Sequence, residues 1–85
     1  MEIILRKNFK KEYEKLLEEI KEKFKERRNL YVQDRFNTTL NNHSVDSAYP
    51  GCRSINITGD YRAIFKEEND IITFLYIGTH SQLYG

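Results

Sequence analysis

The sequence predicts one α+β domain that spans residues 1–85. Three features predict this class: a short N-terminal segment rich in isoleucine, a long segment whose apolar residues recur every three or four positions, and a C-terminal third in which apolar and polar residues alternate. A chain of 85 residues has room for a single hydrophobic core. We therefore expect a sheet and helices that share one core.

The N-terminal half predicts a strand followed by helical structure. Glu2–Lys7 has β-branched residues at its centre and is predicted to be the opening strand. Asn8 is expected to cap the helix, because its side chain can accept from the amides of a first turn. The helical stripe then consists of Phe9, Tyr13, Leu16, Leu17, Ile20 and Phe24. No Gly or Pro interrupts residues 8–34, so the pattern alone does not distinguish one helix from two.

The C-terminal third predicts a three-stranded meander that follows a turn-rich loop at residues 41–52. Its turns are predicted at residues 58–60, where Gly59 is expected to supply a positive φ, and at residues 68–70. The predicted strands are Arg53–Thr58, Tyr61–Glu67 and Ile71–Ile77.

The stripe and the strand alternation also predict which side chains are buried between sheet and helices. They are Ile3, Leu5, Leu16, Ile20, Phe24, Ile55, Ile57, Phe65, Ile72, Phe74 and Tyr76.

Composition limits the classes of function. The net charge is +1, made up of +3 over residues 1–42 and −2 over residues 43–85, which is a weak charge argument for nucleic-acid binding. The chain has no apolar run of membrane-spanning length and no signal-peptide pattern, so we expect a cytoplasmic protein without a membrane partner. Cys52 is the single cysteine, which excludes an internal disulfide and a cysteine-based zinc cluster. We interpret it as a small, partly buried side chain and not as a nucleophile.

Three motifs in the second half of the chain carry a family resemblance. They are Leu40-Asn-Asn-His43, then Gly51-x-Arg53-Ser-Ile-x-Ile-x-x-Asp60-Tyr-Arg62, then Gly78-Thr-His80-Ser-x-Leu-Tyr84. In this order and at these separations they resemble the RelE superfamily of toxins, most closely its YafQ-like branch. The resemblance implies a β-α-α-β-β-β fold, in which a curved, mainly antiparallel sheet packs on an N-terminal helical pair. It also implies a break in the helical segment near Leu16–Glu18.

The same resemblance implies a ribosome-dependent endonuclease that cleaves mRNA and inhibits translation. Its expected partners are the ribosomal A site with its mRNA and a cognate antitoxin that neutralises it; neither DNA by itself nor a cofactor or metal is expected. His43 matches the family's loop histidine, Asp60 its strand-end aspartate and His80 its C-terminal histidine. Arg62 matches an arginine common in the superfamily.

These residue types suit RNA cleavage by the neighbouring 2′-OH, which needs a base, a cation for the phosphorane and an acid for the 5′-oxygen. Histidine can fill both proton roles near neutral pH. His80 is expected to be the acid, and either Asp60 or His43 the base. Arg62 is expected to stabilise the phosphorane.

Four further residues are expected to bind the substrate. Arg53 offers a planar fork for phosphate, and Tyr61 and Tyr84, which match family aromatics, can stack on bases. Asn56 stands where YafQ-like toxins often carry another histidine, so it can position the RNA but cannot transfer a proton. Other departures from the family pattern are Ala48, Pro50 and Cys52.

Alternatives remain open at the level of sequence. His43, Asp60 and His80 could form a two-histidine, one-carboxylate metal site, although their spacings match no recognised ligand motif. Arg62 could instead pair across strands with a carboxylate such as Glu67 or Glu68. The chain could also be a non-enzymatic toxin like the ParE branch, which acts on DNA gyrase by binding, or a module that only binds an antitoxin. The joint presence of both histidines and the aspartate argues against the ParE-like alternative.

Overall fold

The computed structural model describes residues 1–85 and confirms the α+β class. Its three helices are α1 (Lys7–Glu14), α2 (Glu18–Gln33) and α3 (His80–Tyr84), and a 3₁₀ turn covers Thr38–Leu40. Its five strands are β1 (Glu2–Leu5), β2 (His43–Ser44), β3 (Arg53–Asn56), β4 (Tyr61–Glu68) and β5 (Ile71–Thr79).

The strands form one sheet in the order β1-β5-β4-β3-β2. Strand β1 pairs with β5 in parallel, and the other three pairs are antiparallel, so the mainly antiparallel sheet is confirmed. The meander is confirmed as β3–β5, although β3 ends at Asn56 and β5 continues to Thr79. Two elements were not predicted: β2, inside the segment expected to be a loop, and α3, at the C terminus.

The turns of the meander use different residues from those the sequence suggests. The β4–β5 hairpin closes through Asn69 and Asp70, whose φ angles of 50° and 64° are the left-handed pair that a type I′ turn requires. Gly59 does not have a positive φ, so that prediction is wrong. There the Thr58 hydroxyl shapes the turn instead, since it accepts from the backbone N–H groups of Asp60 and Tyr61 at 3.3 and 3.1 Å.

A β-bulge changes the phase of β5. Ile64 pairs with Tyr76 and Phe65 with Phe74, which leaves Leu75 as an extra residue without a partner on β4. Before the bulge, Phe74 faces the helices, and after it Ile77 does. Tyr76 therefore lies on the opposite face with 38% of its surface exposed, and the prediction that it is a core residue is wrong.

The helical segment divides where the family resemblance implies, because residues 15–17 leave the helical path between α1 and α2. Leu17 adopts an extended conformation there and is 67% exposed, so it does not belong to the core stripe. Asn8 lies inside α1, whose N-cap position is Arg6, and does not cap the helix.

Both helices pack on one face of the sheet through aromatic rings. Phe9, Phe24 and Phe74 form a triangle with ring centroids 5.1 to 5.6 Å apart, and Phe65 lies 5.6 Å from Phe74. Of the predicted core, Phe24, Ile55, Ile57, Phe65, Ile72 and Phe74 are fully buried, and Ile3, Leu5, Leu16 and Ile20 are partly buried against them.

The other face of the sheet is covered only in part. Val45 and Cys52, at the two ends of the long loop, pack on Ile64 of β4. Helix α3 adds Leu83 and Tyr84 to this small cluster. The loop and α3 thereby form the walls of a cavity on this face.

The bulge makes a stability prediction about two neighbouring residues. Ile77→Ala should lower the free energy of unfolding by about 2–5 kcal/mol, because it removes a side chain that is only 3% exposed. Tyr76→Ala should cost about 1 kcal/mol, chiefly through its aromatic contact with Tyr49. Urea unfolding of both variants measures the difference. A larger loss for Tyr76→Ala than for Ile77→Ala would contradict the placement of Ile77 in the core and Tyr76 on the opposite face.

Candidate active site

A cavity of about 240 Å³ lies on the face of the sheet away from α1 and α2. Strands β2, β3 and β4 form its floor, and the loop after β2 and helix α3 form its walls. Its lining residues are His43, Ser44, Val45, Ser47, Ala48, Ser54, Arg62, His80 and Tyr84.

Strand register brings the polar residues to this face. Residues that pair directly across an antiparallel sheet point to the same side. His43 of β2 pairs with Ser54 of β3. Two residues further along, Asn56 of β3 pairs with Arg62 of β4, and Arg62 pairs with Gly78 of β5. Three residues predicted from the family resemblance to be catalytic, His43, Arg62 and His80, thus line one cavity.

The ring of His43 is held by one hydrogen bond. Its Nδ1 lies 2.8 Å from the carbonyl oxygen of Asn41, a residue that has a left-handed φ of 47°. A carbonyl oxygen can only accept, so Nδ1 carries the hydrogen and donates. In the neutral ring, Nε2 is then the nitrogen with the lone pair, which is the protonation state that a general base needs.

His80 is the first residue of α3, and the start of that helix is well defined. Thr79 caps the helix through a capping box in which its hydroxyl accepts from Gln82 N–H and the Gln82 side chain accepts from Thr79 N–H. The His80 backbone N–H donates to the Asp60 carbonyl at 3.1 Å, which ties the helix to the turn before β4. Tyr84 lies one helical turn later, and the centroid of its ring is 4.8 Å from the centroid of the His80 imidazole.

Helix α3 folds back on β5 at Gly78, which is buried. A Cβ atom at this position would lie 2.9 Å from Oε1 of Gln82 and 3.4 Å from its Cβ. Gln82 is also the residue that closes the capping box, so a side chain at position 78 would displace a group that fixes His80.

The guanidinium group of Arg62 is anchored by backbone carbonyls. Its Nη1 donates to the oxygens of Thr58 and Tyr61 at 3.0 and 3.1 Å. It makes no salt bridge with Glu67 or Glu68, so the cross-strand pair considered at the level of sequence does not form; Glu67 instead pairs with Arg35. Both hydrogen bonds use Nη1, which leaves Nε and Nη2 to meet a phosphate.

Ser54 is a cavity residue that sequence reasoning missed. It is only 1% exposed, and its hydroxyl has no hydrogen-bond partner in the protein. The side-chain oxygen of Asn56, on the same face of β3, is also buried without a partner. Buried polar atoms of this kind are uncommon and need an explanation. Alternation along β3 places Ser54 on the Asn56 face, but no sequence signal marks a serine as unpaired.

The remaining predicted site residues lie elsewhere. Asp60 is exposed beside the cavity, does not line it, and its carboxylate makes no hydrogen bond, although its backbone carbonyl accepts from His80. Tyr61 is half-buried on the helix-facing side of the sheet, packed against the main core. Arg53 is also on that side, with its Nε donating to Asn42 Oδ1 at 2.8 Å.

The structure does not form the metal site considered above, since no group of three or more His, Cys, Asp or Glu side chains is placed to hold a metal ion. Burial raises the pKa of the Cys52 thiol, which disfavours a thiolate and agrees with a packing role. No helix is long and apolar enough to cross a membrane.

Comparison with known proteins gives one family and several similar folds. YafQ from E. coli strain BL21(DE3) superimposes with a TM-score of 0.83 at 22% identity, covering 99% of this chain and 98% of that one. YafQ in the E. coli DinJ–YafQ toxin–antitoxin complex gives 0.81 at 20% identity, with 99% and 97% covered. The YoeB/ParE toxin from Agrobacterium tumefaciens gives 0.77 at 14% identity, with 94% and 99% covered.

At these identities the structural likeness shows the fold alone, and a search of curated protein sequences gives no significant match. The family comparison is more specific. The family model described as bacterial toxin of type II toxin-antitoxin system, YafQ, matches residues 1–85. This chain therefore belongs to the YafQ family of type II toxins, within the RelE superfamily.

Proposed function

We propose that this toxin is a ribosome-dependent mRNA endonuclease that cleaves RNA by attack of the 2′-OH on the adjacent phosphate. The observation that carries the proposal is the convergence of His43, Arg62 and His80 on one cavity. These side chains supply the proton acceptor, the phosphate ligand and the proton donor that the reaction needs. The family description names a toxin, which is consistent with an activity that stops growth.

In the proposed reaction His43 is the base. Its Nε2 accepts the proton of the 2′-OH while Nδ1 remains hydrogen-bonded to Asn41. The 2′-oxygen then attacks phosphorus, and Nε and Nη2 of Arg62 neutralise the charge on the phosphorane oxygens. Protonated His80 donates its proton to the departing 5′-oxygen. The products are a 2′,3′-cyclic phosphate and a 5′-hydroxyl end.

Other cavity groups are proposed to position the RNA. The hydroxyl of Ser54, which lines the cavity, lacks a partner in the protein and can bond to a ribose or phosphate group. The side-chain oxygen of Asn56, beside the cavity on the same face of β3, also lacks a partner and can accept a hydrogen bond from a ribose hydroxyl. The ring of Tyr84 can stack on a base beside His80. Tyr61 and Arg53 lie on the other face and therefore do not act in the cavity under this proposal.

We also propose that a cognate antitoxin neutralises the toxin and that both act in the cytoplasm, where ribosomes translate. The E. coli relative of similar fold has been crystallised as a DinJ–YafQ toxin–antitoxin complex. Co-expression with the antitoxin should restore growth, and the two chains should purify together.

The first test of function concerns the acid. His80→Ala should lower single-turnover mRNA cleavage on programmed ribosomes by about 10²- to 10⁴-fold, because the 5′-oxygen loses its proton donor. Thermal stability should change little, since His80 is exposed. Ser81→Ala is the matched control, because Ser81 is exposed in the same helical turn but does not line the cavity. Cleavage by His80→Ala within a factor of about three of the parent would exclude His80 as the acid.

The second test decides between the two candidate bases. His43→Ala should lower the cleavage rate by about 10²- to 10⁴-fold, because it removes the imidazole whose Nε2 is proposed to accept the 2′-OH proton. His80, the other histidine of the cavity, is assigned to the acid role. Asp60→Asn keeps the backbone hydrogen bond to His80 and should retain most of the activity. A large loss with Asp60→Asn, together with a small one for His43→Ala, would make Asp60 the base. If the parent cleaves nothing on ribosomes, the toxin acts by binding, as ParE-like toxins do.

A further inference from the structure

A second cluster of chemistry-bearing residues lies on the opposite face of the sheet from the cavity, at the same edge. It lines a depression of about 250 Å³. Its residues are Tyr31, Arg35, Phe36, Asn42, Arg53 and Glu67. The three outer side chains, Arg35, Phe36 and Arg53, are called the Phe36 patch below.

Phe36 is the centre of this patch and is 64% exposed. It follows the end of α2 and belongs to neither core cluster. The guanidinium carbons of Arg35 and Arg53 lie 5.6 and 5.9 Å from the centre of its ring. Both guanidinium groups thus lie over the ring, while most of the Phe36 surface stays exposed. A nucleobase can stack on this aromatic and guanidinium surface while its phosphates meet the arginines.

Hydrogen bonds and one ion pair fix the two arginines of the patch. Glu67 accepts a hydrogen bond from the buried hydroxyl of Tyr31 and pairs with Arg35, so one of the two arginines is already neutralised. Arg53 has no carboxylate partner. Its Nε donates to Asn42 Oδ1, and both Nη groups remain for an anion. Together with Glu67, the patch therefore carries a net charge of +1, centred on Arg53.

Asn42 links the patch to the cavity. It is the residue next to His43, and its Nδ2 donates to the backbone oxygen of Arg35 at 2.9 Å. Arg53 pairs with Ser44 in the β2–β3 ladder, and the neighbouring pair is His43 with Ser54. Alternation along β3 sends Ser54 to the cavity and Arg53 to the patch. The cavity and the patch lie on opposite faces of the sheet at the edge formed by β2. This edge strand has only two residues, so the way round it from one face to the other is short.

We propose that the Phe36 patch binds an unpaired ribonucleotide, with its base stacked on Phe36 and its phosphate on Arg53. An RNA chain whose scissile phosphate lies in the cavity can pass round the β2 edge and reach the patch. This site gives Arg53, which the cavity does not use, a role in RNA binding. The inference rests on the proposed function for the direction of the RNA path, but the binding it describes can be measured without cleavage.

Equilibrium binding of a short, unstructured fluorescent RNA with 2′-O-methyl riboses tests the site, because this probe cannot be cleaved through its 2′-oxygen. Phe36→Leu keeps an apolar side chain but removes the ring, and should weaken binding between about 5-fold and 150-fold. Phe36→Trp should bind at least as tightly as the parent. Leu17→Ala is the control, because it also removes a large, exposed apolar side chain but lies outside the patch. It should leave the RNA affinity unchanged.

The charge of Arg53 is tested by salt dependence. Arg53→Gln should reduce the slope of log affinity against log salt by about 0.7, the value for one phosphate contact to a single strand. Arg53→Lys should restore that slope, which a purely structural role of the Asn42 hydrogen bond would not do. Lys25→Gln removes an exposed charge on α2 and serves as the control.

A second arm measures binding of the same variants to ribosomes without mRNA. A loss confined to the free RNA assigns the nucleotide to the messenger, and a loss confined to vacant ribosomes assigns it to ribosomal RNA. Antitoxin binding by the same variants is measured alongside. The proposal would be overturned if Phe36→Leu bound both the free RNA and the vacant ribosomes with parental affinity, including the case in which only its antitoxin binding is weakened. Each of these results is independent of whether the parent cleaves mRNA.

Discussion

The β-bulge at Leu75 is the constraint on which the arrangement of this toxin depends. The type I′ turn at Asn69 and Asp70 sets the register of β4 against β5, and regular alternation would then keep residues 76, 78 and 80 on the helix-facing side. The extra residue reverses that phase. Ile77 turns to the core, and Gly78 pairs with Arg62 on the face that carries the cavity. The end of β5 can therefore deliver His80 to the same cavity as Arg62.

The walls of the cavity stabilise each other, so the catalytic groups do not rest on free loops. The loop after β2 closes on itself through a hydrogen bond from the Gly51 N–H to Asp46 Oδ1 at 2.6 Å. Tyr49 in this loop donates from its hydroxyl to the Leu83 carbonyl of α3, which joins one wall to the other. Side chains supported in this way keep the geometry that proton transfer requires. A marginally stable small domain thus confines its functional groups to a cavity with defined walls.

The sequence predicts the elements with a clear periodicity of apolar residues and misses the bulge, the two-residue strand β2 and the five-residue helix α3. The helical stripe and strand alternation correctly identify Phe24, Ile55 and Phe74 as buried. The bulge has no signal, since Leu75 looks like any other strand residue, and Tyr76 was misassigned for that reason. Of the candidate site, the family resemblance singled out His43 and His80 together. It placed Arg53 among the substrate-binding residues, whereas alternation along β3 sends Arg53 to the face opposite Ser54 and the cavity.

In the proposed mechanism the ribose itself supplies the nucleophile, and a change at the scissile nucleotide tests this. An mRNA with a single 2′-deoxy nucleotide on the 5′ side of the cleaved phosphate should resist cleavage on programmed ribosomes. The unmodified message should give a 2′,3′-cyclic phosphate and a 5′-hydroxyl end at that position. Cleavage of the 2′-deoxy message at the parental rate, or a product with a 5′-phosphate, would contradict the mechanism assigned to His43, Arg62 and His80.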